Sequence, residues 1–405
     1  MAPCGREERR PERVRPQLAE VLRAALPAFT LNHRLPAQHW KTLDALLRCH
    51  TAALGGHLYG CAACGQQHFV PHSCRNRHCP NCQRASADEW LERQEASLLP
   101  IPYFHVVFTL PHTFNGLIRQ NQRALYQLLF DSTSATLLAF GERKLQAQIG
   151  VTAVLHTWSQ TLHDHYHLHC VVTGGGLSLN GQKWRSTSAR YLFPVRALSK
   201  VFKGKFRDGL KELFAAGKLG FHGSLEPLAQ PDEFAQLLRS ACARQWVVYS
   251  KKPFAGPRAV LAYLSRYTHR VAIGNGRLLA LDRTAGTVTF SYKDYADAAR
   301  RKKMQLPLGE FLRRFCLHIL PARFVKIRHY GLLGNRHRAA KVAAARAQLP
   351  DPADQSRPST STIASSPSTA AAPPPLVCPH CGSERVFLIA RLQGAKAPVP
   401  LTDSS

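Results

Sequence analysis

The stretch from His165 to Thr173 reads HYHLHCVVT and runs straight into Gly174, Gly175 and Gly176. Its β-branched and apolar residues predict a strand that the glycines close. Side chains alternate across a strand, so His165, His167 and His169 share one face and Tyr166, Leu168 and Cys170 the other. Residues 150–158, GVTAVLHTW, predict a second strand joined to the first by a short polar turn. With that turn centred between Thr161 and Leu162, the pair is an antiparallel hairpin. His156 then sits opposite His167 with Cβ atoms roughly 5 Å apart. Three neutral imidazoles on one sheet face can hold one divalent ion and leave positions open for phosphate oxygens. Gln160 is the alternative third ligand. By periodicity alone, a His-x-His strand is a weak signal, since a polar solvent-facing strand looks the same.

Outward from the hairpin, residues 103–110 (YFHVVFTL) predict a strand and 114–146 a mainly helical stretch. Residues 15–48 read as two short amphipathic helices, the second opened by Pro36. Residues 86–98 read as a helix with Ser86 as N-cap and Glu89 at capping-box spacing. Residues 258–268 read as a helix opened by Pro257. Short strands are expected near 270–273, 277–282 and 287–292, with a hairpin turn at Gly274-Asn275-Gly276. Residues 349–376, rich in Pro, Ser, Ala and Thr, read as a disordered linker. The expected fold class is α+β, with a central antiparallel sheet flanked by helices.

The chain has 405 residues, 54 Lys+Arg against 25 Asp+Glu, and a formal net charge of +29. Self-repulsion of that size points to a polyanionic partner, and nucleic acid is the default. No run approaches the roughly 18 apolar residues of a membrane span. The N-terminus lacks an apolar core for a signal peptide, so an intracellular protein without a membrane partner is expected. The charge gathers in two places. Residues 183–211 hold nine Lys/Arg and one acid, Asp208, with Trp184, Tyr191 and Phe193 among them. Residues 300–346 hold thirteen Lys/Arg and one acid, Glu310, and read as a basic tail. Trp184, Arg185, Lys203 and Lys205 are candidates for stacking and phosphate contacts.

Six of the twelve cysteines crowd into residues 49–82. In a reducing compartment such clustering argues for metal rather than disulfides. Cys61-Ala-Ala-Cys64 and Cys79-Pro-Asn-Cys82 are two Cys-x-x-Cys knuckles, spaced to supply four thiolates to one zinc ion. Cys49, His50, His57, Cys74 and His78 leave room for a second ion. Arg75, Arg77 and Arg84 surround the knuckles. Cys378-Pro-His-Cys381 is half a site, to be completed by His380, another region or a second subunit, or else idle.

Tyr263 and Tyr267 lie four residues apart, so on a helix both phenols leave one face. Arg258, Arg266, His269 and Arg270 are close in sequence. A phenolate can attack a phosphodiester and hold it as an ester, with cations stabilising the charge. Paired core aromatics have the same spacing, and Tyr292, Tyr295 and Tyr330 are alternatives.

Taken together, residues 73–83 (SCRNRHCPNCQ), 102–111 (PYFHVVFTLP), 165–169 (HYHLH), 263–270 (YLSRYTHR) and 328–333 (RHYGLL) resemble the IS91 family of rolling-circle transposases, of the HUH class. The similarity runs in order from about residue 15 to 340. It implies an HUH-type core in which His167 and His169 bind a catalytic Mg²⁺ or Mn²⁺ and Tyr263 and Tyr267 are the nucleophiles of a Y2-type site. It also implies an N-terminal zinc-binding DNA-recognition domain, for which Cys61, Cys64, Cys79, Cys82, Cys74 and Cys49 are the candidate ligands. Where the family has Pro between the first two histidines, this chain has Tyr166.

The expected organisation is a charged tail (1–14), a zinc-binding domain (15–99), a catalytic domain (100–340), a disordered linker (341–376) and a C-terminal half-knuckle (377–405). The expected function is nicking and rejoining of single-stranded or extruded DNA ends through a 5′-phosphotyrosine, in a bacterial, cytoplasmic and nucleoid-associated protein. Arg75, Arg77, Arg266 and Arg270 join the candidate DNA contacts. The alternatives are a non-catalytic zinc-finger regulator and a related replication initiator or relaxase.

Overall fold

The computed structural model describes residues 15–95, 98–188, 191–251, 260, 268–349 and 377–395. The chain opens with α1 (Leu18–Asn32), α2 (Ala37–Arg48), β1 (Gly55–Cys61), β2 (Gln67–Pro71) and α3 (Cys82–Glu95). Then come β3 (Tyr103–Thr109), α4 (Asn115–Gln120), α5 (Gln122–Leu145), β4 (Ala147–Trp158), β5 (Asp164–Ser178) and β6 (Trp184–Ser186). Next are α6 (Val195–Ala215), α7 (Pro231–Ala243), β7 (Val248–Lys251), β8 (Leu278–Asp282), β9 (Thr287–Asp294) and β10 (Arg300–Pro307). The described chain closes with α8 (Leu308–Cys316), β11 (Ile327–Gly331), α9 (Arg338–Ala347) and β12 (Val386–Gln393).

The central sheet has the order β11-β4-β5-β3-β7, all antiparallel, with β6 paired to β5. Alternation sorts its two faces. Phe104, Val106 and Phe108 of β3, Val151, Ala153 and Leu155 of β4, and Tyr166, Leu168 and Cys170 of β5 all enter one core beneath α5, α6 and α7. The helix α6 meets it with Leu198, Phe202, Phe206 and Leu210, every fourth residue. Each such buried side chain is worth about 1.5–3 kcal/mol. The opposite face is covered at one end by Trp90 of α3 and Val342 and Ala345 of α9, which pack with Tyr103 and Val171. At its other end this face carries the histidines.

A second core joins α1 and α2 to the β10-β9-β8 sheet and α8, through Leu22, Phe29, Phe290, Phe311 and Phe315. A third sheet, β12-β1-β2, pairs the last strand with the first. Gly331 shows why the RHYGLL motif needs its glycine. Its φ is +63°, and a Cβ there would come within 2.0 Å of the Ile149 carbonyl oxygen.

Several sequence expectations need correction. The helix expected from Ser86 begins at Cys82, and Ser86 bonds back to the Cys82 carbonyl at 3.2 Å instead of capping. Residues 270–273 form no strand; Ala272 and Ile273 are buried in the second core. Residues 300–346 are no tail, because β10, α8, β11 and most of α9 are built into the fold. Likewise α9 continues to Ala347, past the expected start of the linker at 341. Residues 350–376 and, of the helix expected over 258–268, all but Val260 and Thr268 lie outside the described residues, Tyr263, Arg266 and Tyr267 among them.

Candidate metal centres and nucleic-acid surface

The β4–β5 register places His156 directly opposite His167 and Val154 opposite His169. The ligand atoms of His156, His167 and His169 all lie within 4.8 Å of one another. Nε2 of His167 and Nε2 of His169 are 3.1 Å apart, and the His156 ring centroid is 4.5 Å from that of His169. All three residues are buried.

The surroundings of His167 and His169 favour neutral rings with lone pairs turned inward. Nδ1 of His167 lies 2.8 Å from the His165 carbonyl oxygen. A carbonyl only accepts, so Nδ1 carries the proton and Nε2 keeps its lone pair. Nδ1 of His169 lies 2.8 Å from Nε2 of His105 on β3. When Nε2 of His169 is a ligand, its Nδ1–H donates to His105, the second-shell arrangement common around ligating histidines. Burial is the main cause that pushes His167 down to about 3 and His169 well below the usual range; neighbouring histidines and Arg270 add to it. His105, pushed down to about 4 by burial and Lys251, stays neutral too. The donor set therefore suits a divalent ion without having to lose protons.

Gln160 is occupied elsewhere. Its side-chain oxygen accepts the Lys293 N–H at 3.4 Å, and its carbonyl accepts from Arg277. Tyr166 lies on the core face, where its hydroxyl donates to Asp164 at 3.2 Å and burial raises its pKa. It is no stray nucleophile. His105 went unnoticed as a site residue in the sequence, although residues 102–111 contain it. The signal was the strand alternation of YFHVVFTL, which puts His105 on the face opposite Phe104 and Val106.

The thiols assemble differently from the spacing-based expectation. Cys61 and Cys64 do not join Cys79 and Cys82. Cys49, Cys74, Cys79 and Cys82 form one cluster, and Cys61, Cys64, Cys378 and Cys381 another. In the first, Sγ separations are 3.5 Å for Cys49–Cys82, 3.5 Å for Cys49–Cys79 and 3.6 Å for Cys74–Cys82. A zinc tetrahedron with bonds of about 2.3 Å has edges near 3.8 Å, whereas a disulfide needs about 2.05 Å. The donors fit zinc. Cys79 is drawn down to about 5 by the Cys74 thiol and the N–H groups of Cys82 and Asn81. The cluster joins the end of α2 to the start of α3, which neither Cys-x-x-Cys alone would do. His78 is no ligand here; its Nε2 accepts the Leu320 N–H at 3.3 Å.

The basic candidates divide. Arg75, Arg185 and Lys205 are exposed. Arg270 is half-buried and lines a cleft of about 500 Å³ between Pro80 and Gln83 on one side and Asn275 and Arg277 on the other. Arg77 is spent internally on the Phe324 carbonyl, and Lys203 on the carbonyls of Cys242 (2.8 Å) and Arg244 (3.3 Å). Trp184 packs in the third core against Gly175 rather than standing open.

Fold and site together define an α+β protein that combines a three-imidazole centre with a thiol-rich module of zinc type. Residues 21–110 match the family described as "Transposase zinc-binding domain", and residues 150–341 the family described as "Putative transposase". The chain is 45% identical over 334 residues to the "Putative transposase y4qJ" of Sinorhizobium fredii, covering 82% of this chain and 83% of that one. It is 29% identical over 301 residues to the transposase for insertion sequence element IS801 of Pseudomonas savastanoi pv. phaseolicola, covering 73% and 70%. A solved conjugative relaxase, TRWC in complex with oriT DNA, aligns over 40% of this chain and 68% of its own, at 13% identity and a TM-score of 0.22, too loosely to compare architectures. The chain belongs to the IS91-family transposases. No helix among the described residues is long and apolar enough to cross a membrane.

Proposed function

We propose that this chain nicks and rejoins single-stranded or extruded DNA at the ends of a mobile element by tyrosine transesterification, in rolling-circle transposition. The observation that carries the reading is the convergence of His156, His167 and His169 on one sheet face with Arg270 in electrostatic reach. Bound there, Mg²⁺ or Mn²⁺ supplies Lewis acidity toward a phosphate oxygen, and the all-nitrogen donor set favours Mn²⁺ of the two.

The chain's own groups do the rest. His167 and His169 present Nε2, held by the His165 carbonyl and His105, and His156 adds a third ring nitrogen. Arg270 offers positive charge to the scissile phosphate. The phenolic oxygen of Tyr263 or Tyr267 attacks phosphorus; the Tyr O–P bond forms and the P–O3′ bond breaks. The phenol's proton goes to solvent and the departing 3′ oxygen takes one up. Bond energy stays in the 5′-phosphotyrosine, so rejoining needs no ATP, and the second tyrosine serves the second cleavage. Recognition of the DNA end falls to the zinc module of residues 15–99, and the chemistry to residues 100–340.

The test is incubation with labelled single-stranded terminal DNA of the element. The expected result is a covalent adduct that survives boiling in detergent and requires a divalent ion. It disappears in His167→Ala and in the Tyr263→Phe/Tyr267→Phe double variant. Tight DNA binding without any adduct overturns the reading in favour of a non-catalytic zinc-finger regulator.

A further inference from the structure

The two Cys-x-x-Cys pairs that sequence spacing left unrelated are built alike. Cys61-Ala-Ala-Cys64-Gly65 and Cys378-Pro-His-Cys381-Gly382 both end on a glycine in the left-handed region, with φ of +70° and +72°. In each, the glycine N–H donates to the first cysteine's carbonyl at 2.9 Å. In each, the first cysteine's N–H also donates five residues ahead, from Cys61 to the Gln66 carbonyl at 3.0 Å and from Cys378 to the Ser383 carbonyl at 2.9 Å. These are two copies of one thiolate-presenting turn, and they face each other. Sγ of Cys61 is 3.6 Å from Sγ of Cys381, and Sγ of Cys64 is 3.7 Å from Sγ of Cys378. Those separations are close to the edge of a zinc–thiolate tetrahedron, about 3.8 Å.

A second feature, independent of the thiols, brings the same segments together. Strand β12 pairs along the whole of β1, from Gly55 opposite Gln393 to Cys61 opposite Val386. The approach is so close that a Cβ on Gly55 would fall 2.2 Å from the Leu392 carbonyl oxygen, and one on Gly394 would fall 2.4 Å from the Leu54 backbone. Glycine at both positions lets the two ends of the chain meet. His380 is exposed, and four sulfurs already complete the set.

We propose that Cys61, Cys64, Cys378 and Cys381 hold a second zinc ion that fastens the C-terminal segment to the N-terminal module. The module is then assembled from both ends of the chain, with the catalytic domain lying between them in sequence. The first zinc belongs to Cys49, Cys74, Cys79 and Cys82 and is separate.

Zinc per chain is measured on the full-length protein after dialysis against EDTA, which removes loosely held ions. Two zinc ions are expected. Cys378→Ser/Cys381→Ser is expected to retain one, and Cys61→Ser/Cys64→Ser also one. Combining the two pairs of substitutions removes no further zinc, because they share one ion. Two zinc ions retained without Cys378 and Cys381, or a second ion lost in the combination, overturns the proposal. A measurement on the unaltered chain covers variants that fail to fold. Cys64 and Cys381 are exposed, so alkylation with N-ethylmaleimide reads their ligation directly. All four cysteines should resist it in the zinc-loaded chain and become reactive together on titration with a strong chelator. Free alkylation of Cys378 and Cys381 while Cys61 and Cys64 stay protected refutes the shared site.

Discussion

Nε2 of His105 lies 2.8 Å from Nδ1 of His169, with the two rings stacked 5.1 Å apart and 11° from parallel. A histidine of β3 thus stands behind one of the three clustered histidines, on β5. With Nε2 of His169 as a ligand, its Nδ1–H donates to His105, which then acts as a positioning residue that holds the ring. His105→Ala is expected to weaken Mn²⁺ binding by about 10- to 100-fold, the usual cost of a lost second-shell partner. His105→Gln should recover part of that loss, because its amide oxygen can accept the same N–H. Calorimetric Mn²⁺ titration, with a melting curve taken without metal to confirm folding, decides the point. Unchanged affinity in His105→Ala contradicts it.

The third ligand follows from hydrogen bonding. Gln160 already serves the Lys293 N–H, and His156 faces the other two imidazoles. Gln160→Ala should leave Mn²⁺ affinity within about twofold, while His156→Ala should abolish saturable binding in the micromolar range. The same titration would expose the assignment as wrong if the two variants exchanged behaviours.

Much of the histidine site was legible because both rules that build it are local. Period-two alternation put His167 and His169 on one face. The position of the turn set His156 opposite His167, as the register has it. The thiol sites were less legible, because spacing reports only which sulfurs are near in sequence. Cys61 meets Cys381 across 320 residues, and only the pairing of β1 with β12 brings them together. Likewise residue type alone does not distinguish Lys203, tied to two carbonyls, from exposed Lys205 two residues along α6. The stretch at 300–346 read as a tail because charge hid its apolar positions. Phe311, Leu312 and Phe315 lie on one side of α8, with Arg313 and Arg314 on the other side beside Glu310.

His318 sets an acid limit on the hairpin. Its Nε2–H donates to the Leu162 carbonyl at 3.0 Å, and its Nδ1 accepts from Thr157 at 3.2 Å, so it holds the turn between β4 and β5. Burial pushes its pKa down to about 4 from an ordinary 6.5. Between those values the unfolded chain binds a proton that the folded chain does not, so stability falls as pH falls through this window. Between pH 6 and pH 5 the wild type should lose about 1 kcal/mol more than His318→Gln, which carries no such proton. Urea midpoints at the two pH values give the comparison, in which the other buried histidines cancel. Parallel losses in the two proteins show that His318 is not the group that titrates.

The basic side chains should separate by what already holds them. Arg185 and Lys205 are exposed and available to phosphates, whereas the Lys203 ammonium is committed to the ends of two carbonyls at the close of α7. Each phosphate contact on a single strand contributes about 0.7 to the slope of log affinity against log salt. Arg185→Ala and Lys205→Ala should therefore each lower that slope by about 0.7 and leave the urea midpoint unchanged. Lys203→Ala should do the reverse, costing about 0.5–1.5 kcal/mol of stability because one part-buried and one exposed carbonyl lose their shared donor, with little change in slope. Fluorescence anisotropy with a labelled oligonucleotide at several salt concentrations reads the first effect and urea unfolding the second. A full salt-slope change in Lys203→Ala at unaltered stability would mean that its ammonium leaves the carbonyls for DNA.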